Sequence, residues 1–247
     1  MRIDQAGTGR SPARLYGSRL LSDASARIWN VIPTYNVVPE IEIDDRVLLR
    51  LNARAVIDGF SIVRDYSPLI DITWDEAEDC VAAEDRWLER AAGAPGPKQF
   101  DEILYAAPDE EAHDDFDWLF RSNDVGVAGL VLALSAAGYA TYYSCRGHAG
   151  IVGTRLPQVR FGTEPDRLRQ LAPYVSRAGC GAVVDTDGLV TVYAQSVTEM
   201  HRLARLVVDD QAVFAALNPP PWLAEGLEAL KALEVDDEFD WGDTVIG

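Results

Sequence analysis

The sequence predicts an α+β fold, with a β-rich N-terminal part and a second half that runs α-β-β-α-β-β-α. Three observations carry this. From Val125 onward, apolar stripes of helical period alternate with short runs of β-formers. Thr73-Trp74-Asp75-Glu76 has the form of a capping box, a threonine followed three residues later by glutamate. Asp58-Gly59 and Asp187-Gly188 each divide two β-rich runs, which is a strong hairpin signal.

Residues 1–27 mix Gly, Ser, Arg and Asp without period and read as a loosely tied arm. From Trp29 to Thr73 the chain reads as strands. Val31-Ile32 and Val37-Val38 are β-branched pairs, Ile41 and Ile43 alternate with acids, and Val47–Ile57 and Phe60–Val63 flank the Asp58-Gly59 turn. A helix over Trp74–Ala92 follows the capping box, with Ala77, Val81, Leu88 and Ala91 on one face and Gly93 as its stop. Ala94-Pro95-Gly96-Pro97-Lys98 is the clearest linker and divides residues 1–98 from residues 99–247. Asp101–Asp117 holds eight acids and no Lys or Arg, and reads as an exposed loop with a short helix.

Beyond it, Val125–Ala137 is a helix capped by Asn123 or Asp124 and ended by Gly138. Tyr139–Cys145 and Pro157–Phe161 are strands, and Glu164–Ala178 is a helix striped by Leu168, Leu171 and Val175. Gly181–Asp185 and Leu189–Ala194 form a hairpin, and Val197–Val208 turns Met200, Leu203, Ala204 and Val207 inward. A last helix carries Leu223, Leu227, Leu230 and Leu233 into an acidic tail. This order predicts helices on one face of a mainly antiparallel sheet, ferredoxin-like in spirit.

At 247 residues the chain can bury a core without staples. Its net charge of −18 gives non-specific nucleic-acid binding no electrostatic footing. Three cysteines, Cys80, Cys145 and Cys180, are too few for a disulfide framework and fit a reducing compartment. The polar start lacks the apolar run of a signal peptide, and Val125–Ala140 is too short and too glycine-broken to span a bilayer. A cytoplasmic protein without membrane contact is expected.

One constellation carries chemistry. Tyr142-Tyr143-Ser144-Cys145-Arg146-Gly147-His148 places a thiol, a guanidinium and an imidazole around a glycine at a strand end, where binding residues concentrate. Cys145 and His148 are the candidate catalytic pair, as thiolate and base. Short connections that reverse the chain bring further groups to the same rim. Arg121, Asn123 and Asp124 precede the helix that starts there, and Ser196 and His201 open the last helix of the unit. With Ser144, Arg146 and Gly147 these are the candidate ligand-binding residues, with Arg121 or Arg146 as clamp for an anionic group of a small molecule. A competing reading makes Cys145, His148, Cys180 and His201 a metal site, although the second pair lies 21 residues apart and is not knuckle-like. In a third the rim merely packs, Cys180 serving as a small core hydrophobe. No cofactor follows from the sequence: Gly147, Gly150 and Gly153 do not make a dinucleotide fingerprint.

Ala140–His148, preceded by a helix and Gly138, resembles the Ser-Cys-Ser-Gly-Arg segment of the wybutosine-synthesising tRNA methyltransferases of the third-step type. The resemblance covers about ten residues, or roughly 70 if the later strand–helix order is counted. Ser144, Cys145 and Gly147 match, while Arg146 stands where the family has serine and His148 where it has arginine. The resemblance implies that such a strand-end loop can be functional.

Acid runs suggest the alternative function. Asp71–Glu89, Asp101–Asp117 and Glu225–Asp243 hold 24 of the 40 acids, and Trp74, Trp87, Trp118, Trp222 and Trp241 lie in or beside them. A non-enzymatic, immunity-type protein that binds a basic protein partner would be built in this way.

Overall fold

The structure, a computed structural model, describes residues 21–22, 35–36, 40–54, 56, 69–111, 119–147 and 156–237. It is an α+β architecture around one mixed five-stranded sheet. Two-residue strands β1 (Leu21–Ser22) and β2 (Tyr35–Asn36) pair with each other, antiparallel. Strand β3 (Ile41–Glu42) instead joins the main sheet, parallel to β6 (Gly181–Val184). The remaining strands are β4 (Ala140–Cys145), β5 (Gln158–Gly162) and β7 (Val190–Tyr193), and the sheet order is β3-β6-β7-β5-β4. All its pairings except β3·β6 are antiparallel.

Helix α1 (Trp74–Ala92) forms where the sequence places it. Thr73 and Glu76 exchange both capping-box hydrogen bonds, and Gly93 is its C-cap. Helix α2 (Pro97–Glu111) overturns the expectation of an exposed acidic loop over its range. Phe100, Leu104 and Ala107 are buried at helical spacing, while Asp101 is half-buried and Glu102 exposed. Residues 112–117 of that acidic run lie outside the described residues. Helix α3 (Ala128–Ala136) is apolar on every side and buried from Ala128 to Ser135. It ends in a Schellman arrangement, Tyr139 N–H donating to Leu134 O and Gly138 N–H to Ser135 O with Gly138 at φ 80°. Helices α4 (Pro165–Ala178), α5 (Val197–Asp209), α6 (Gln211–Ala215) and α7 (Leu223–Asp237) complete the chain.

The main core lies between the sheet and the helices α1, α3, α4 and α5. Val159, Phe161, Val190 and Val192 of the sheet meet Leu130, Leu171, Met200 and Leu203 there. Helices are not confined to one face. Ala140 and Tyr142 of β4 belong to a second cluster with Trp222 and Leu230, against which Leu223 and Leu227 of α7 pack. Ala140 and Tyr142 share one face of β4, while Thr141 on the other face meets Ser135 of α3, so the sheet is covered on its far side at that edge. The likeness to a ferredoxin-like sandwich is therefore loose.

Among the described residues of Val47–Ile57 the expected strand does not form: Asp45–Val47 is a 3-10 turn capped by Asp44, and residues 53, 54 and 56 are helical. The Asp44 carboxylate accepts from Arg46 N–H, which offers the backbone a turn in place of a ladder. The arm over residues 1–20, the pairs Val31-Ile32 and Val37-Val38, the Asp58-Gly59 hairpin with Phe60–Val63, and the end of the acidic tail lie outside the described residues.

Candidate functional site

Register defines the rim. Cys145 pairs with Gln158, Gln158 with Tyr193, and Tyr193 with Gly181, so these four residues form one row across β4, β5, β7 and β6. Cys180 precedes that row and Ser196 follows it by three residues.

At the β4 end a polar cluster assembles from three segments. The Ser144 hydroxyl donates to Asn123 Oδ1 at 2.9 Å, and the Asn123 amide donates to Phe120 O and Arg121 O. Arg146, only 4% exposed, donates from Nε and Nη2 to Asp101 Oδ1 at 3.2 and 3.0 Å. Its backbone N–H donates to Asp124 Oδ2 at 3.1 Å. Asp101 and Asp124, 36% and 37% exposed, reach solvent together with the half-buried Ser144, while Asn123 and Arg146 are buried. Gly147, at φ 77°, donates its N–H to Cys145 Sγ at 3.2 Å and so fixes the direction of a sulfur that is nearly buried.

The turn that feeds this cluster is strained. Arg121 and Ser122 have φ of 47° and 58°, a left-handed conformation that non-glycine residues adopt at a cost. The sequence suggests Asn123 or Asp124 as the cap of α3, but neither side chain caps it. Their side chains are committed to Ser144 and Arg146, and the α3 N-cap is Val127 with no side-chain cap. The N-terminal end of α3 is served instead by Glu84 of α1. This fully buried carboxylate accepts from Gly126 N–H at 2.6 Å and Gly129 N–H at 3.3 Å through Oε1.

Of the remaining predicted site residues, Arg121 pairs with Glu76, and Ser196 forms the α5 capping box with Glu199. His201 lies between α5 and α1. Its Nδ1 is 2.8 Å from Glu84 Oε2 and its Nε2 is 2.7 Å from Asp85 Oδ1, while Arg205 holds the other Asp85 oxygen at 2.5 Å. Burial works to lower the His201 pKa, but the contacts with Glu84 and Asp85 outweigh it and hold the value above the ordinary one. With both ring nitrogens taken, His201 is not available as a metal ligand or as a hydrogen-bonding group for a ligand. Cys180 Sγ donates to Glu199 O, and burial pushes its thiol far up. Among the described residues no three His, Cys, Asp or Glu side chains are grouped to hold a metal. His148 lies outside the described residues.

The sequence reading missed Glu84, Asp85 and Asp101. Glu84 left a signal: it stands on the apolar stripe of α1 between Val81 and Leu88, a core position for a carboxylate. An open groove of about 500 Å³ lies between β3 and α4, lined by Ile41, Ile43, Leu168 and Pro173 among others, and none of the predicted site residues lines it. Trp87 and Trp222 are buried, the latter donating to Glu164, so these two are core residues and not exposed anchors; Trp118 and Trp241 lie outside the described residues. Among the described residues no helix is long and apolar enough to cross a membrane.

No protein-family model, no curated protein and no solved structure matches this chain.

Proposed function

We propose that this chain is a small-molecule-binding protein or transfer enzyme whose ligand is held at the strand-end rim of Ser144–His148. The observation that carries the reading is the buried Arg146 tied to Asp101 and Asp124 beside the Ser144–Asn123 hydrogen bond. A polar cluster from α2, the 121–124 turn and β4 costs desolvation and backbone strain that simple packing does not need. The resemblance of residues 140–148 to third-step methyltransferases supports a functional loop over passive packing, while Arg146 and His148 depart from that family's motif.

The pairing also narrows the ligand. Both rim arginines already face carboxylates, Arg146 with Asp101 and Arg121 with Glu76. An anionic ligand would have to displace Asp101 from a buried guanidinium. What the cluster offers to solvent is the two carboxylates of Asp101 and Asp124 beside the half-buried Ser144, so the favoured ligand is a small polar molecule that donates hydrogen bonds or carries an amine. Cys145, with its sulfur oriented by Gly147, is the candidate acceptor of a transferred group, and His148 the candidate base.

Native mass spectrometry of the purified full chain against its denatured mass tests this. A retained mass that disappears in the Cys145→Ala/His148→Ala variant is expected. A bare chain mass, unchanged by adding primary amines, would overturn it.

A second reading is a binder of a basic protein. It is favoured by the solvent face of α1, where Asp75, Glu78, Asp79 and Glu89 are all exposed. Lysine substitution at Asp75, Glu78 and Asp79 would abolish capture of a basic partner while leaving the mass retained at the rim unaltered.

A further inference from the structure

His201 and Glu84 are two buried ionisable groups that the rim cluster leaves unused, and they touch each other. They sit where α1, α5 and the start of α3 meet. Glu84 uses one oxygen for Gly126 N–H and Gly129 N–H and the other for His201 Nδ1. His201 carries the chain of contacts on to Asp85 and Arg205. A neutral imidazole has one N–H, yet both ring nitrogens face carboxylate oxygens within 2.8 Å. The doubly protonated ring satisfies both contacts, and it makes Glu84, His201, Asp85 and Arg205 a set of two negative and two positive charges. Loss of that proton leaves two carboxylates around one imidazole with a single donor.

The contact is wired to the rim through the backbone. Gly126 lies two residues after Asp124, whose carboxylate receives Arg146 N–H, and three after Asn123, which receives the Ser144 hydroxyl. The turn has no room to relax toward α5, because a Cβ on Gly126 would stand 2.8 Å from Val197 Cγ1. Nor can α3 shift toward α1 freely, since a Cβ on Gly129 would meet Glu84 Oε2 at 2.7 Å.

We propose that the Glu84–His201 contact is a proton-dependent latch that holds the 123–129 turn, and through it Ser144 and Arg146, in the arrangement described. Glu84 and His201 act as positioning residues. The groups facing the ring are few. Helix α1 supplies Glu84 and Asp85, with the Cys80 thiol adjoining Glu84. Helix α3 supplies backbone N–H alone, since no residue of Ala128–Ala136 titrates. Helix α5 itself supplies Arg205, by way of Asp85. On the α4 side of α5, Arg202 donates to Ala178 O, and Glu199 is held in the capping box with Ser196. The His201 pKa, raised above the ordinary histidine value by Glu84 and Asp85, agrees with a latch that stays closed beyond that value and is released on its alkaline side. The device is independent of which ligand the rim takes.

The test needs no ligand. Amide hydrogen exchange of the full chain is followed at Gly126 and Gly129 from about pH 6 to about pH 9, corrected for the intrinsic rate, while NMR follows the His201 ring. Protection of the two glycines should fall by about tenfold per unit of displaced pKa as the ring loses its proton. In His201→Gln it should be low and flat with pH. Asp85→Asn, which keeps the buried Glu84 and alters a half-exposed partner, should move the midpoint down by about one unit. Glycine protection that ignores the His201 titration, or an unmoved midpoint in Asp85→Asn, would overturn the latch. So would an equal loss of protection in β5 and β7, which would mark global unfolding in place of local release.

Discussion

Glu84 Oε2 and His201 Nδ1 lie 2.8 Å apart although 117 residues separate them in the chain. The pair closes the contact between α1 and α5, and the second Glu84 oxygen reaches past it to the turn that enters α3. One carboxylate therefore joins two helices to the backbone that sets the rim. Its burial makes the joint expensive to break, because a lone ionised group left in the core has no solvent to fall back on.

Stability should respond to pH through this joint. The folded protein holds the His201 proton above the ordinary value of 6.5, and unfolding returns the residue to that value. The contribution is complete below about pH 6.5 and is lost as pH rises through the higher folded value. Melting temperature should fall on the alkaline side in the wild type, and this portion of the fall should vanish in His201→Gln. A melting-temperature profile against pH for both chains checks it; identical slopes would exclude His201 as the cause.

Two glycines separate crowding from backbone strain. Gly126→Ala places a methyl within 2.9 Å of two Val197 carbons at φ 105°, so it should cost about 2–4 kcal/mol, overpacking added to left-handed strain. Gly179, at φ 82°, has only Glu199 Cγ at 3.6 Å from such a methyl. Gly179→Ala should lose about 1–2 kcal/mol from strain alone. Urea denaturation of the two variants measures the difference.

The rim's ion pairs should be unequal. Asp101→Ala strips a buried guanidinium of two hydrogen bonds and should destabilise by about 1–3 kcal/mol. Arg121→Gln breaks a pair whose members are both more than a third exposed, and should cost under about 1 kcal/mol. Equal costs in chemical denaturation would show that the Arg146 cluster is no more tightly built than a surface pair.

Much of the fold is legible because its signals are local. The α1 capping box, the Pro165 start and Gly179 end of α4, and the Asp187-Gly188 hairpin are each satisfied within a few residues of where they are written. The row from Cys145 to Gly181 follows from those elements, since short connections leave the strands few ways to pair. Helix α2 is hidden because acids outnumber its apolar stripe of Phe100, Leu104 and Ala107, so the acidic composition masks the helical period. The segment Val47–Ile57 misleads for the reverse reason: β-formers there are overridden by the Asp44 turn and by Leu49 N–H donating to Gly188 O.

Residue order alone specifies α1 with its capping box, α4 with its Gly179 end, the Asp187-Gly188 hairpin and the gathering of Ser144, Cys145 and Asn123 toward one rim. Packing adds what the rim's groups are tied to. Asp101 meets Arg146 and Glu84 meets His201 only because α2 and α1 come to rest against distant helices and strands. A cap or turn finds its hydrogen bonds beside itself in sequence, whereas a buried charge must be answered by whatever the fold brings opposite it.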